Sequence, residues 1–78
     1  MRVAGAGRPH PLGLTLEPGG ANMAVRAGAA ERVHLCVFDA AGAATRLSLG
    51  ARTGDVHHAW IEGLAAGARY GLRADGPA

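Results

Sequence analysis

The acidic side chains are the first candidates for chemistry in this sequence, which contains six of them. They are Glu17, Glu31, Asp39, Asp55, Glu62 and Asp75. Hydrolysis of a glycosidic bond needs two carboxylates that flank the bond within a cleft. Most of these acids fall in predicted turns, where a carboxylate is simply solvated, and a chain of 78 residues offers no obvious cleft. The sequence therefore predicts no catalytic residue within this chain.

The histidines and the cysteine are the next candidates, as metal ligands or as a nucleophile. His57 and His58 are adjacent, and adjacent side chains on a strand point to opposite faces, so the pair cannot chelate one ion together. His10 and His34 lie at spacings that match no zinc pattern. Cys36 stands between two apolar residues, which indicates a buried and inert thiol. We expect neither a metal site nor a cofactor.

Trp60 is the side chain with the clearest potential for binding. If a strand begins at Val56, then Val56, His58 and Trp60 share one face, while Ile61 lies on the other face with the core. An outward tryptophan can stack on a sugar ring or anchor a neighbouring domain. The remaining alternative places Trp60 in the core. Trp60, His58 and Val56 are therefore the candidate residues for carbohydrate or interdomain contact.

Length, charge and composition narrow the classes of function. The net charge is +2, and all eight basic residues are arginines that are scattered along the chain. Nucleic-acid binding usually needs a clustered basic face, so we do not expect it. No apolar run approaches the roughly 20 residues of a membrane span. A single cysteine and no signal peptide at Met1 predict a cytoplasmic protein.

The elements that must position these side chains are short strands. Apolar residues alternate with polar or small ones in runs separated by turns, which is typical of an antiparallel sandwich or barrel. We expect about six strands within residues 12–76, after an irregular segment at residues 1–11 that is rich in glycine and proline. Helices are not expected, because glycine interrupts almost every window. The predicted core consists of Leu14, Leu16, Met23, Val25, Val33, Leu35, Val37, Leu47, Leu49, Ile61, Tyr70 and Leu72.

An ordered series of motifs resembles a known family. The series is HPLG at residues 10–13, GANMAV at 20–25, AERVHLCVFD at 30–39, TGDVHH at 53–58, GL at 63–64 and GARYGLRADGP at 67–77. Together these motifs resemble the N-terminal domain of bacterial glycogen debranching enzymes of the isoamylase type. That domain is classed with the family 48 carbohydrate-binding modules. The resemblance runs from about residue 8 to residue 77.

The resemblance implies an immunoglobulin-like antiparallel β-sandwich of the early-set type, placed ahead of a catalytic (β/α)8 barrel that is absent from this chain. In that family the barrel, a glycoside hydrolase, cleaves α-1,6 branch linkages. The implied function is a non-catalytic accessory domain that packs on the barrel and helps to present glucan, either glycogen or limit dextrin. The implied partners are the barrel and α-glucan, with neither nucleic acid nor membrane.

Departures from the family pattern shift the expected function towards packing. Aromatic residues that are common in the family are replaced here by Met23, Arg26, His57 and Leu72. Each lost aromatic removes area that would have been buried or used for stacking. Two alternatives stay open, an autonomous glycogen- or starch-binding module and an unrelated immunoglobulin-like protein-interaction module. The sequence also leaves open a branching or trehalose-releasing parent enzyme.

Overall fold

The computed structural model describes residues 1–76, which form eight β-strands and no helix. The strands are β1 (Arg2–Gly5), β2 (Gly13–Glu17), β3 (Gly20–Arg26), β4 (Arg32–Phe38), β5 (Ala44–Ser48), β6 (Ala51–Thr53), β7 (Val56–Glu62) and β8 (Arg69–Asp75). The described residues therefore contain no helix that could span a membrane. Pro77, the last residue of the motif at 67–77, lies outside the described residues.

The strands form two antiparallel sheets, as the alternating pattern predicts. Sheet A has five strands in the order β1-β7-β3-β2, with the short β6 also paired to β7. Sheet B has three strands in the order β5-β4-β8. β1 pairs with the end of β7 and β6 pairs with its beginning, so the two share one edge of that strand. The prediction of an all-β sandwich is confirmed.

The core lies between the two sheets and follows from period-2 alternation. In β4, Val33, Leu35 and Val37 point inward and are buried, while the residues between them point outward. In β7, Ala59 and Ile61 are buried against Met23 and Ala21 of β3 in the same way. The buried core is Ala21, Met23, Val33, Leu35, Val37, Leu47, Leu49, Ala59, Ile61 and Leu64.

Two strands occur where the sequence predicts none. β1 lies within residues 1–11, which we expected to be irregular, and β6 lies within residues 50–55, where the glycines at both ends of the segment predict a loop. All four residues of β1 are exposed, so the strand has no buried face that a hydrophobic pattern could reveal. β6 has three residues, which is too short for a periodic signal. Both are held by pairing with β7 rather than by a pattern of their own.

Three residues of the predicted core are exposed instead. Leu16, Tyr70 and Leu72 are 48%, 42% and 46% exposed. The face assignment is right, because Tyr70 and Leu72 pair directly with the buried Val37 and Leu35. The burial prediction is wrong because β2 and β8 are edge strands whose inward faces are incompletely covered.

Candidate functional site

Trp60, His58 and Val56 lie together on the outer face of sheet A, as the strand pattern predicts. Their register partners in β3 are Asn22, Ala24 and Arg26. The residues between them on β7 point inward to the core. The three candidates therefore share one face, but their side chains differ in solvent exposure.

Trp60 is half-buried, and the chain leaves room for its ring at a glycine. A Cβ atom at Gly20 would lie 3.0 Å from Cζ2 of Trp60 and would also collide with the carbonyl oxygen of Ile61. The indole therefore extends over Gly20 of the neighbouring strand. Beside it, Arg2 and Glu62 form an ion pair at 3.5 Å between Nη2 and Oε2. Part of the Trp60 ring is therefore accessible to solvent on this face.

His58 is buried, whereas a residue that contacts a sugar or a neighbouring domain is expected to be exposed in the isolated chain. Its Nδ1 atom lies 2.6 Å from the carbonyl oxygen of Ala6, and its Nε2 atom lies 2.8 Å from Oγ1 of Thr53. A carbonyl only accepts hydrogen bonds, so Nδ1 donates to Ala6, whereas the Thr53 hydroxyl can donate to Nε2 or accept from it. Both ring nitrogens are thereby satisfied, and His58 connects β7 to the segment that follows β1.

That segment, residues 6–9, crosses the outer face of sheet A and is called here the N-terminal strap. Its second anchor is Asn22, which is fully buried. The Arg8 backbone N–H donates to Oδ1 of Asn22 at 2.7 Å, and Nδ2 of Asn22 donates to the Arg8 carbonyl at 3.1 Å. The Arg8 guanidinium also forms two hydrogen bonds with the Glu17 carboxylate, at 3.1 and 2.9 Å.

Asn22 lies within the GANMAV motif at residues 20–25, but its role could not be predicted from the sequence. A polar residue inside an otherwise apolar strand is the signal that was available, because buried polar groups need a partner. The partner is a backbone peptide 14 residues earlier. Neither the residue type of Asn22 nor its distance along the chain from Arg8 indicates that these two residues are hydrogen-bonded.

The remaining candidates for chemistry have structural roles. Four of the carboxylates are engaged: Glu17 and Glu62 by arginines, Asp75 with His34 at 3.4 Å, and Asp39 as an acceptor in its own turn. Within residues 1–76, no three His, Cys, Asp or Glu side chains lie together so as to hold a metal ion. Cys36 is half-buried on the outer face of sheet B.

The two adjacent histidines have opposite environments. His57 points inward beside Val25 and is 3% exposed, and its Nε2 atom has no hydrogen-bond partner. His58 points outward and has two partners. Their opposite orientation agrees with the expectation that the pair cannot chelate one ion.

The three aromatic side chains lie on three different surfaces. Trp60 is on the outer face of sheet A, and Phe38 is on the outer face of sheet B. Tyr70 is on the inward face of β8. No two of these rings form a common platform, so a sugar chain would meet one aromatic ring at a time.

Comparisons with known proteins identify relatives of the chain. The family model described as carbohydrate-binding module 48 (isoamylase N-terminal domain) matches residues 11–78. The chain is 46% identical over 77 residues to a glycogen debranching enzyme of Klebsiella pneumoniae, covering 99% of this chain and 12% of that protein. It is 45% identical over 71 residues to the glycogen debranching enzyme of Pectobacterium carotovorum, covering 91% of this chain and 11% of that protein. The chain thus spans about one eighth of the length of these relatives.

Proposed function

We propose, from the premise that this chain belongs to the carbohydrate-binding module 48 family, that it is the N-terminal accessory domain of a glycogen debranching enzyme. The observation that carries the proposal is similarity to glycogen debranching enzymes along 99% of the chain. Family membership excludes the alternative of an unrelated immunoglobulin-like module. In this proposal the parent protein, rather than this domain, supplies the hydrolysis.

The proposed role is to pack on a catalytic (β/α)8 barrel of the same parent chain and to help present glucan to it. Separation of the three aromatic rings supports packing over autonomous sugar binding, because one partly exposed ring gives a small stacking surface. Engagement of four of the six carboxylates in ion pairs and a turn supports a structural rather than a catalytic domain.

The activity of the full-length parent protein tests this proposal. Purified parent protein is incubated with glycogen and with its limit dextrin, and α-1,6 linkages are quantified before and after by NMR. The proposal predicts net loss of α-1,6 linkages and release of linear oligosaccharides. A net gain of branches would identify a branching enzyme, and release of trehalose would identify a trehalose-forming parent, and either result contradicts the proposal. The 78-residue chain is the control and is expected to hydrolyse neither substrate.

A second candidate function is autonomous binding of glycogen or starch. The half-buried indole of Trp60 favours it, since part of the ring remains available for stacking. Titration of the 78-residue chain with maltoheptaose tests it, because Trp60 is the one tryptophan of the chain and reports any contact by its fluorescence. Saturable quenching of Trp60, together with binding measured by calorimetry that Trp60→Ala weakens, would support this function. An unchanged spectrum at millimolar oligosaccharide would exclude it.

We also propose a cytoplasmic location. The support is the single cysteine, which forms no disulfide and suits a reducing compartment. Cell fractionation with an antibody to the parent protein tests this, and recovery in the secreted fraction would contradict it.

A further inference from the structure

Three large apolar side chains face the inside of the sandwich and are nevertheless exposed. Leu16 of β2 pairs with the fully buried Ala21, so both point to the core side of sheet A. Tyr70 and Leu72 of β8 point to the core side of sheet B. Each of the three is between 42% and 48% exposed. We call this surface, made of Leu16, Tyr70 and Leu72, the open edge.

The open edge results from the way the two sheets overlap. β1 and β5 contact each other on one side of the sandwich, so the edge strands β2 and β8 lie on the opposite side. On the β2 and β8 side, no described strand covers the space between the two sheets. A depression of about 400 Å³ is lined by Leu16, Gly20, Leu64 and Ala66. Because Leu16 also belongs to the open edge, the depression extends the uncovered apolar surface.

β2 and β8 also have one unpaired side each. β2 pairs with β3 and β8 pairs with β4, and neither has a second neighbour within residues 1–76. An uncovered strand edge next to exposed apolar residues is a surface that proteins normally cover or pair. The outer face of β8 differs, because Arg69 and Arg73 point outward there and are solvated.

We propose that the open edge is the docking surface for the remainder of the parent polypeptide, which covers Leu16, Tyr70 and Leu72 with its own apolar side chains. This inference rests on the proposed function, since it requires the chain to be one domain of a longer protein. The relatives support that occupant, because the matched region makes up 12% of the Klebsiella protein and the other 88% can supply the covering segment. The surface is distinct from the outer face around Trp60, where the N-terminal strap already covers His58 and Asn22.

Two other occupants fit the surface less well. Two of the three exposed side chains are leucines, and aliphatic groups give a sugar ring no aromatic face for stacking. A second copy of the chain would place Arg69 and Arg73 of two β8 strands near each other if the strands paired at their free edges. Both occupants are outcomes of the test.

Cysteine labelling at two neighbouring positions of β8 tests the proposal. Leu72→Cys places a thiol on the open edge, and Arg73→Cys is the matched control on the opposite face of the same strand. Each variant is prepared in the 78-residue chain and in the full-length parent, both in a Cys36→Ser background. Alkylation of the peptide that contains the new thiol is followed by mass spectrometry. Leu16→Cys provides a second thiol on β2 in case the β8 variant fails to fold.

The proposal predicts that the Leu72→Cys and Leu16→Cys thiols react at least about tenfold more slowly in the parent than in the 78-residue chain, because access limits thiol reactivity. The Arg73→Cys thiol should react at similar rates in both. Equal rates for Leu72→Cys in the two proteins would overturn the proposal. Protection in the 78-residue chain that increases with its concentration would assign the surface to a second copy, and protection by maltoheptaose would assign it to glucan. A parent that lacks debranching activity but protects Leu72→Cys would refute the proposed function and leave the docking surface intact.

Discussion

At the scale of single residues, hydrogen bonding rather than residue type decides what the polar side chains do. His58 and Asn22 are buried and satisfied, and both hold the N-terminal strap against sheet A. His57 is equally buried but leaves one ring nitrogen without a partner. A buried polar atom without a partner lowers stability, and a satisfied one does not. Two adjacent histidines therefore make opposite contributions to the free energy of unfolding.

Replacing each histidine by leucine tests this contrast. His57→Leu should raise the free energy of unfolding by about 1 kcal/mol, because an apolar side chain of similar volume removes the unpaired nitrogen. His58→Leu should lower it by about 1–3 kcal/mol, because the Ala6 carbonyl and the Thr53 hydroxyl lose their partner. Urea denaturation of the 78-residue chain measures both. A decrease for His57→Leu as large as that for His58→Leu would contradict the contrast.

Asn22 provides a second test at this scale. Asn22→Leu should lower the free energy of unfolding by about 1–3 kcal/mol, because the Arg8 N–H and carbonyl lose their partners. Exchange of the Arg8 amide hydrogen should accelerate. Glu17→Gln is the control, since it removes only a partly exposed ion pair worth up to about 1 kcal/mol. An Arg8 amide that exchanges equally slowly in the Asn22→Leu variant would show that Asn22 does not hold the strap.

At the scale of elements, β3 and β7 pair along their whole length in sheet A. Gly20 lies where β3 passes the Ile61 carbonyl and the Trp60 ring, and no side chain fits there. Gly71 of β8 has open space around its Cβ position. The two glycines are both within strands, and neither requires a positive φ. They therefore form a matched pair that differs in packing.

Gly20→Ala should destabilise the chain by about 1–3 kcal/mol, because the added methyl group overpacks against backbone. Gly71→Ala should be neutral or stabilising by up to about 1 kcal/mol, because it reduces the freedom of the unfolded chain. Thermal unfolding followed by circular dichroism measures both variants. Equal destabilisation by the two substitutions would mean that the close approach at Gly20 carries no energetic cost.

The positions of most strands, and the face on which each side chain lies, could be predicted from the sequence. Whether the opposing sheet buries that face could not. Alternation placed Val33, Leu35 and Val37 on one face of β4 and Trp60 outside sheet A, and the structure agrees. The same rule put Tyr70 and Leu72 on the inward face of β8 correctly. Whether an opposing strand covers that face depends on how two sheets overlap, and alternation carries no information about overlap. The Ala6–His58 contact joins residues 52 positions apart, which no local pattern indicates.

At the scale of the whole molecule, one side of the sandwich is closed and the other is open. β1 contacts β5 on the closed side, whereas Leu16, Tyr70 and Leu72 stay uncovered between β2 and β8 on the open side. A domain that matches about one eighth of its relatives' length can leave such a surface for the rest of a protein to cover. We therefore propose that the packing of this domain is completed in the parent protein.

The most direct test of that claim is backbone amide hydrogen exchange in β8, compared between the 78-residue chain and the full-length parent. Docking should slow exchange of the Arg69–Asp75 amides by at least about tenfold, because covering an edge strand suppresses its local opening. Exchange in the buried centre of β3 serves as the reference. Equal exchange rates for β8 in the two proteins would contradict docking of this domain through the open edge.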